Sequence, residues 1–370
     1  MASACAALLI AAHTAGAQSK RVFQSARHAY VVDTVATGLS HAWGMAFLPD
    51  GDILVTERDG RLRLIRRGQL LQQAIIGVPK VRAVGQGGLL DVAIHPQFAT
   101  NRLVYLSFSK PGLFLRATTA VVRGRLDGLR LVNVEEIFVA KAWGWRTGHY
   151  GSRLAFDRNG FLFISVGERQ EMREAQKLSN HQGKIIRLHD DGRVPADNPF
   201  VGRNDALPEI YTYGNRNPQG LTFHPETGEL WASEHGPMGG DEINVILPGR
   251  NYGWPEVTYG INYTGQPISD LTHKEGMEQP RHFFVPSIAT SGLAIYYGDA
   301  FPNWRGDAFV GGLVGMRVAR VSLRDPAAPH ERLLEINQRI RDVRVGPDGL
   351  LYILIDAPNA PVLRLRPADS

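Results

Sequence analysis

Apolar residues along this chain come in short runs bounded by turn residues, and no long segment repeats them with the 3.6-residue period of a helix. The pattern is clearest in Gly220-Leu221-Thr222-Phe223 and Glu229-Leu230-Trp231-Ala232, which read as the two strands of one hairpin. Flanking them, from Tyr213 to Pro255, is a concentration of unusual polar groups: Arg216, a Glu-His pair, Gly-Pro, an Asp-Glu pair and Asn-Tyr-Gly-Trp-Pro. A packed strand pair needs none of these. At strand ends they are placed for a scaffold to present to a ligand.

One unit recurs six times: a small apolar triplet, a turn rich in Pro, Asp, Gly or Asn, then a β-rich run. The triplets are Met45-Ala46-Phe47, Val92-Ala93-Ile94, Leu154-Ala155-Phe156, Leu221-Thr222-Phe223, Leu293-Ala294-Ile295 and Val343-Arg344-Val345. Their middle residues, 46, 93, 155, 222, 294 and 344, are 47, 62, 67, 72 and 50 residues apart, which suits one four-stranded sheet per repeat with loop insertions. The expectation is an all-β, six-bladed β-propeller over residues 18–370. An early strand near Tyr30 to Val35 is expected to complete the sheet that holds Leu351 to Leu354 and so close the ring.

Composition narrows the function. The 370-residue chain carries 40 Gly and 22 Pro, which fits many turns, and a net charge of +5 scattered without a basic stripe, which argues against nucleic-acid binding. Residues 1–17 end an apolar stretch in Ala15-Gly16-Ala17, as a signal peptide would, although no Lys or Arg precedes it and Met1 need not be the true start. A periplasmic or secreted protein is expected. The single cysteine, Cys5, lies inside that segment, leaving no disulfide. No later run is long and apolar enough to span a bilayer as a helix.

Several residues have the chemistry of a site. His149, directly before the third triplet, is a candidate general base and equally a hydrogen-bonded loop histidine. Arg216 and Asn217 precede Pro218, which favours an extended Asn217; the arginine suits either an anionic ligand or a salt bridge between sheets. Gln86 sits in a glycine-rich loop, a weak indication alone. Glu234-His235-Gly236-Pro237 and Asp241-Glu242 offer hard oxygen donors suited to Ca²⁺, without EF-hand or zinc spacing. Arg339 and Arg341 alternate, so a strand turns both to one face, where an anionic ligand, Asp342 or another acid must offset their repulsion.

Together the ordered motifs GQGGLLDVAIHP, HYGSRLAFD, QGKIIRL with PADNPF, YGNRNPQGL, SEHGPMGGDEIN, NYGWP and QRIRDVRVGPDG resemble the soluble quinoprotein glucose/sorbosone dehydrogenase family, in its aldose sugar dehydrogenase branch. The likeness runs from about Gly38 to Leu365. It implies a six-bladed propeller with pyrroloquinoline quinone (PQQ) and Ca²⁺, and an aldose oxidised at C1 to a lactone; an external electron acceptor and a monomer or weak dimer are expected. By motif, His149 is the expected base and Arg216 the group facing negative charge developing on the quinone. Gln86, Asn217 and Tyr263 are expected cofactor contacts, and Arg339 and Arg341 the partners of PQQ carboxylates. The resemblance assigns the Gly236 and Pro237 carbonyls to the catalytic Ca²⁺, and Glu242 and Tyr252 to a second, structural one. Where the family commonly has a lysine, this chain has Val314, after Gly311-Gly312-Leu313. The competing readings are a Ca²⁺-dependent lactonase on a similar propeller, which would need several acids converging on one metal, and a non-catalytic binding module.

Overall fold

The computed structural model describes residues 21–368; the proposed signal peptide lies outside the described residues. Six antiparallel sheets are arranged around a central axis as a β-propeller. Blade 1 comprises Ala42–Phe47, Ile53–Glu57, Arg61–Arg66 and Gln69–Leu70, and blade 2 Leu89–Ile94, Leu103–Pro111, Ala117–Asp127 and Arg130–Val139. Blade 3 has Leu154–Phe156, Leu162–Val166, Lys184–Leu188 and Ile210–Tyr213, and blade 4 Pro218–Phe223, Leu230–Glu234, Asp241–Ile246 and His282–Phe284. Blade 5 has Thr290–Ile295, Asp307–Gly312, Val318–Ser322 and Glu331–Leu333. All six triplets lie in the innermost strand of their sheet.

Blade 6 closes the ring. Ile340–Val345, Leu351–Ile355 and Ala360–Pro367 are joined by the early strand Ala29–Leu39, in the register Tyr30 to Pro367 through Leu39 to Ala360, with Val22–Gln24 outermost as a fifth strand. The expected closure is therefore present, and the fifth strand is an addition to it. Pairing the two ends of the chain in one sheet leaves no open seam between first and last blades.

The core lies between sheets. Leu54, Leu62, Val92 and Leu106 pack blades 1 and 2 together; Leu154, Ile164, Tyr105 and Val121 do so for blades 2 and 3; and Trp231, Ile243, Leu293 and Val310 for blades 4 and 5. At the axis the inner strands are tied by charge. Arg153 of blade 3 reaches Asp91 of blade 2 and Asp342 of blade 6, each at 3.1 Å, and Arg344 bonds the same two acids at 3.1 and 2.9 Å. The acids displace any side chain opposite: a Cβ on Gly44 would stand 2.4 Å from Asp91 Oδ1, and one on Gly292 2.2 Å from Asp342 Oδ1. Glycine is required there for close approach. Beyond this cluster a channel of about 400 Å³ opens on one face, lined by five of the six triplets.

Antiparallel pairing fixes which loops share the opposite face. Segments leading into each inner strand, and turns between second and third strands, all gather there. That face holds the predicted site residues.

Candidate active site

Four inner-strand approaches bring Gln86, His149, Arg216 with Asn217, and Arg339 with Arg341 from blades 2, 3, 4 and 6 to one mouth. His149 adopts φ +52°, and its buried ring donates or accepts through Nδ1 to Glu168 Oε1 at 2.7 Å. Its backbone N–H donates to Gln86 Oε1 at 2.8 Å, while Asn217 Oδ1 accepts from Gly151 N–H at 3.0 Å. The amide oxygens of Gln86 and Asn217 thus hold the His149 segment, and their NH₂ groups are left to donate. Burial lowers the His149 pKa, opposed by the Glu168 hydrogen bond and reinforced by Arg216, so the ring is neutral near pH 7. With Nδ1–H donated to a carboxylate, Nε2 is the basic nitrogen.

Arg216 is buried, and its Nη1 donates to the carbonyls of His235 at 2.8 Å and Gly236 at 2.7 Å. Its guanidinium lies 5.2 Å from the Trp254 ring centroid, and its backbone N–H bonds Glu234. Arg341 bonds Gln219 Oε1 at 3.0 Å and Asp356 Oδ2 at 2.7 Å; Arg339 approaches the same carboxylate at 3.8 Å. The acid that offsets the arginine pair is therefore Asp356. Asp342 is spent on the axial cluster. Burial would raise the Asp356 pKa, yet Arg341 holds it well below the usual carboxylate range. His235, half-buried at the mouth, feels Arg216, His149, Arg341 and Arg339 together, and desolvation with that positive field pushes its pKa far down. Nε of Arg216, Nε of Arg341 and Nδ1 of His235 are buried with no hydrogen-bond partner among the described residues.

Hard-donor candidates separate into two groups. Asp241 is a hub, accepting from Gly236 N–H and Ile288 N–H at 2.8 Å, Ser287 Oγ–H at 2.8 Å and Thr290 N–H at 3.2 Å, so its oxygens are fully used by the surrounding loop. Glu242 is the register partner of Glu234 across blade 4. Burial raises both, Glu234 to about 7 and Glu242 to about 8, the latter also through the Glu234 carboxylate. Glu234 is buried and feels Arg216, whereas the half-buried Glu242 feels only the acids Glu234 and Asp241; such a pair of adjacent carboxyls fits a divalent ion at Glu242. Among the described residues no three His, Cys, Asp or Glu side chains converge as a metal cluster, so further ligands would be main-chain carbonyls. The Tyr252 hydroxyl donates to Val245 O at 2.6 Å and accepts from Leu247 N–H at 2.8 Å, leaving only its carbonyl for such a role. Gly236 O is already bonded by Arg216. Tyr263 is 67% exposed on a loop, and Val314, 62% exposed, stands beside Arg339, whose Nη1 donates to Leu313 O at 3.4 Å.

Sequence reasoning missed Glu168 and Asp356, and did not see that Glu234 braces Arg216 and Asn215. The signal was a repeat of its own. An acid closes the second strand of four blades: Glu57, Glu168, Glu234 and Asp356, each buried and each bonded to a residue at the mouth side of its blade.

The glucose/sorbosone dehydrogenase family model matches residues 39–364. The chain belongs to this family. It is 43% identical over 345 residues to the Escherichia coli aldose sugar dehydrogenase YliI, covering 91% of this chain and 93% of that protein. The crystal structure of the soluble Escherichia coli aldose sugar dehydrogenase in its apo-form superimposes with a TM-score of 0.88 at 42% identity, over 91% of this chain and 99% of that one. A PQQ-bound aldose sugar dehydrogenase from Streptomyces coelicolor superimposes with a TM-score of 0.76 at 29% identity, over 91% and 98%. Membership in the family agrees with the resemblance carried by the motifs, and these neighbours share the six-bladed architecture expected from the repeats.

Proposed function

We propose that this protein oxidises the C1 hydroxyl of aldose sugars to lactones, using PQQ and Ca²⁺, and passes the electrons to an external acceptor. The observation that carries the reading is His149, kept neutral by burial and held by Glu168 at 2.7 Å, at one mouth with Arg216, Arg339 and Arg341. A carboxylate-oriented base beside a strongly cationic surface suits proton removal from an alcohol next to a planar acidic ligand. The lactonase alternative draws no comparable support, since Asp241 and Asp356 are both committed to protein donors.

PQQ, when bound, supplies the hydride acceptor. His149 Nε2 would take the hydroxyl proton, and Glu168 would stabilise the imidazolium so formed. Arg216 would set positive charge beside the quinone oxygens, its unpartnered Nε fitting an anionic neighbour. Arg339, 47% exposed, is the freer of the two arginines for a cofactor carboxylate, because Arg341 is already paired with Asp356. Gln86, Asn217 and Tyr263 would contribute further donors. Ca²⁺ ligation is assigned to the Gly236 and Pro237 carbonyls at the cofactor, where a cation must share Gly236 O with Arg216, and to Glu242 with the Tyr252 carbonyl at a second site. Export to the periplasm or medium, and a monomeric or weakly dimeric state, belong to the same reading.

The test is reconstitution. Apo-protein supplied with PQQ and Ca²⁺ should show reduced-quinone absorbance on adding an aldose. Turnover with a nicotinamide cofactor and no PQQ would overturn the assignment.

A further inference from the structure

The face that carries the site also carries an apolar projection that sugar oxidation does not use. Leu113, Phe114 and Leu115 form the turn between the second and third strands of blade 2 and are 80%, 84% and 76% exposed. Trp145, four residues before His149, is 66% exposed beside them. The turn is held in place. Gly112 N–H donates to Arg116 O at 2.8 Å, and Trp145 Nε1–H to Phe114 O at 3.0 Å. Gly112 lies so close to Trp143 that a Cβ would stand 2.4 Å from the ring. Phe114 and Leu115 both sit at positive φ, +54° and +60°, which residues with a β-carbon adopt only when their surroundings hold them there. Three consecutive large apolar side chains are thus kept in water by a built turn, where exposed apolar surface of this kind marks an interaction site.

The setting points to one kind of partner. Behind the tip is a cleft of about 390 Å³ lined by Gly112, Leu113, Phe114, Arg116 and Trp143. Arg116 reaches over the Trp145 ring at 5.3 Å, donates to Trp143 O, and has its Nε buried without a partner. Lys110 and Arg146 flank the turn and are paired with Glu136 at 2.6 Å and Glu171 at 2.9 Å, so Arg116 is the uncompensated positive charge at its base. A narrow apolar tip, an indole at its base and an arginine beside it are the components of an interfacial membrane anchor.

We propose that this turn docks the protein on an anionic lipid bilayer, with Leu113, Phe114 and Leu115 entering the acyl boundary, Trp145 at headgroup level and Arg116 against a lipid phosphate. A flat apolar surface would favour a second protein. Here the apolar surface projects, and the Arg116 guanidinium has no carboxylate partner among the described residues. Docking would hold the mouth beside the bilayer, within reach of a lipid-soluble electron acceptor; that consequence rests on the oxidoreductase reading, whereas the docking does not.

The experiment is co-sedimentation of the full chain with phosphatidylcholine vesicles, with and without phosphatidylglycerol, at low and high salt. Binding to the anionic vesicles only, weakened by salt, is expected. The Phe114→Asp/Leu115→Asp variant should lose about a hundred-fold in partitioning, from two large apolar contacts. Its circular dichroism should match the parent, as should its aldose oxidation with a soluble artificial acceptor once PQQ and Ca²⁺ are supplied. Arg116→Gln should weaken binding to anionic vesicles alone. Absence of vesicle binding by the native chain, or equal binding by the double variant, overturns the proposal. So does a concentration-dependent dimer in sedimentation velocity that the double variant abolishes, which would make the occupant a second copy. Sugar oxidation is read separately, so either reading can fail while the other stands.

Discussion

Glu168→Gln is the substitution that most directly probes the proposed base. Glu168 Oε1 lies 2.7 Å from His149 Nδ1, and Oε2 accepts the Glu171 N–H at 2.7 Å. In the substituted side chain one oxygen becomes an amide nitrogen, so only one of these two donors keeps an acceptor. The charge facing the imidazole is also lost. Unit charges about 4 Å apart at an effective dielectric of about 20 interact by roughly 4 kcal/mol; with the proton about half transferred in the transition state, roughly 2 kcal/mol of stabilisation disappears. That is a fall of about thirty-fold in kcat. Because the carboxylate raises the His149 pKa against burial, its removal should shift the acid limb of kcat/KM to lower pH. Glu168→Asp, which keeps the charge, should recover part of the rate. The assay is aldose oxidation at saturating PQQ and Ca²⁺ with a dye acceptor, beside a PQQ titration and a melting curve for each variant. An unchanged kcat, an acid limb that moves upward, or a loss explained wholly by weaker PQQ binding would refute the argument.

His149→Ala should lower kcat by roughly two to four orders of magnitude with PQQ affinity largely retained, as cofactor titration would show. Val314→Lys should tighten PQQ binding by roughly 1 kcal/mol, because residue 314 is exposed beside the half-exposed Arg339; equal affinity would mean the ammonium does not reach the cofactor. Asp241→Ala should destabilise the fold by about 3 kcal/mol or more in denaturant melts, since it strips the acceptor from three main-chain N–H groups and Ser287. Burial next to His282 pulls the His330 pKa down to about 4 from 6.5, so its contribution to stability is complete above about pH 6.5 and is lost as pH falls toward 4. Melting temperatures across that range should drop less in His330→Asn.

The six strands at the axis and the closing strand were legible because their causes are local. A triplet, a turn and a β-rich run specify one hairpin, and six hairpins of similar spacing can bury their faces only against one another. The same local logic marked His149, Arg216 and Arg341, since each stands at the mouth end of an inner strand. The partners of these residues were settled by tertiary structure. Glu168 meets His149, and Asp356 meets Arg341, because paired strand ends of blades 3 and 6 converge, and Asp356 meets His41 at 3.0 Å because ring closure brings together residues 315 apart in sequence. Arg153 and Arg344 share Asp91 and Asp342 only once three blades surround the axis. The acid that recurs at the end of the second strand in four blades was visible in the sequence, but its chemistry was not. Strand and turn preferences act between neighbours in the chain, whereas an ion pair is chosen by whichever opposite charge the packed blades bring within reach, and that distance exists only in the folded ring.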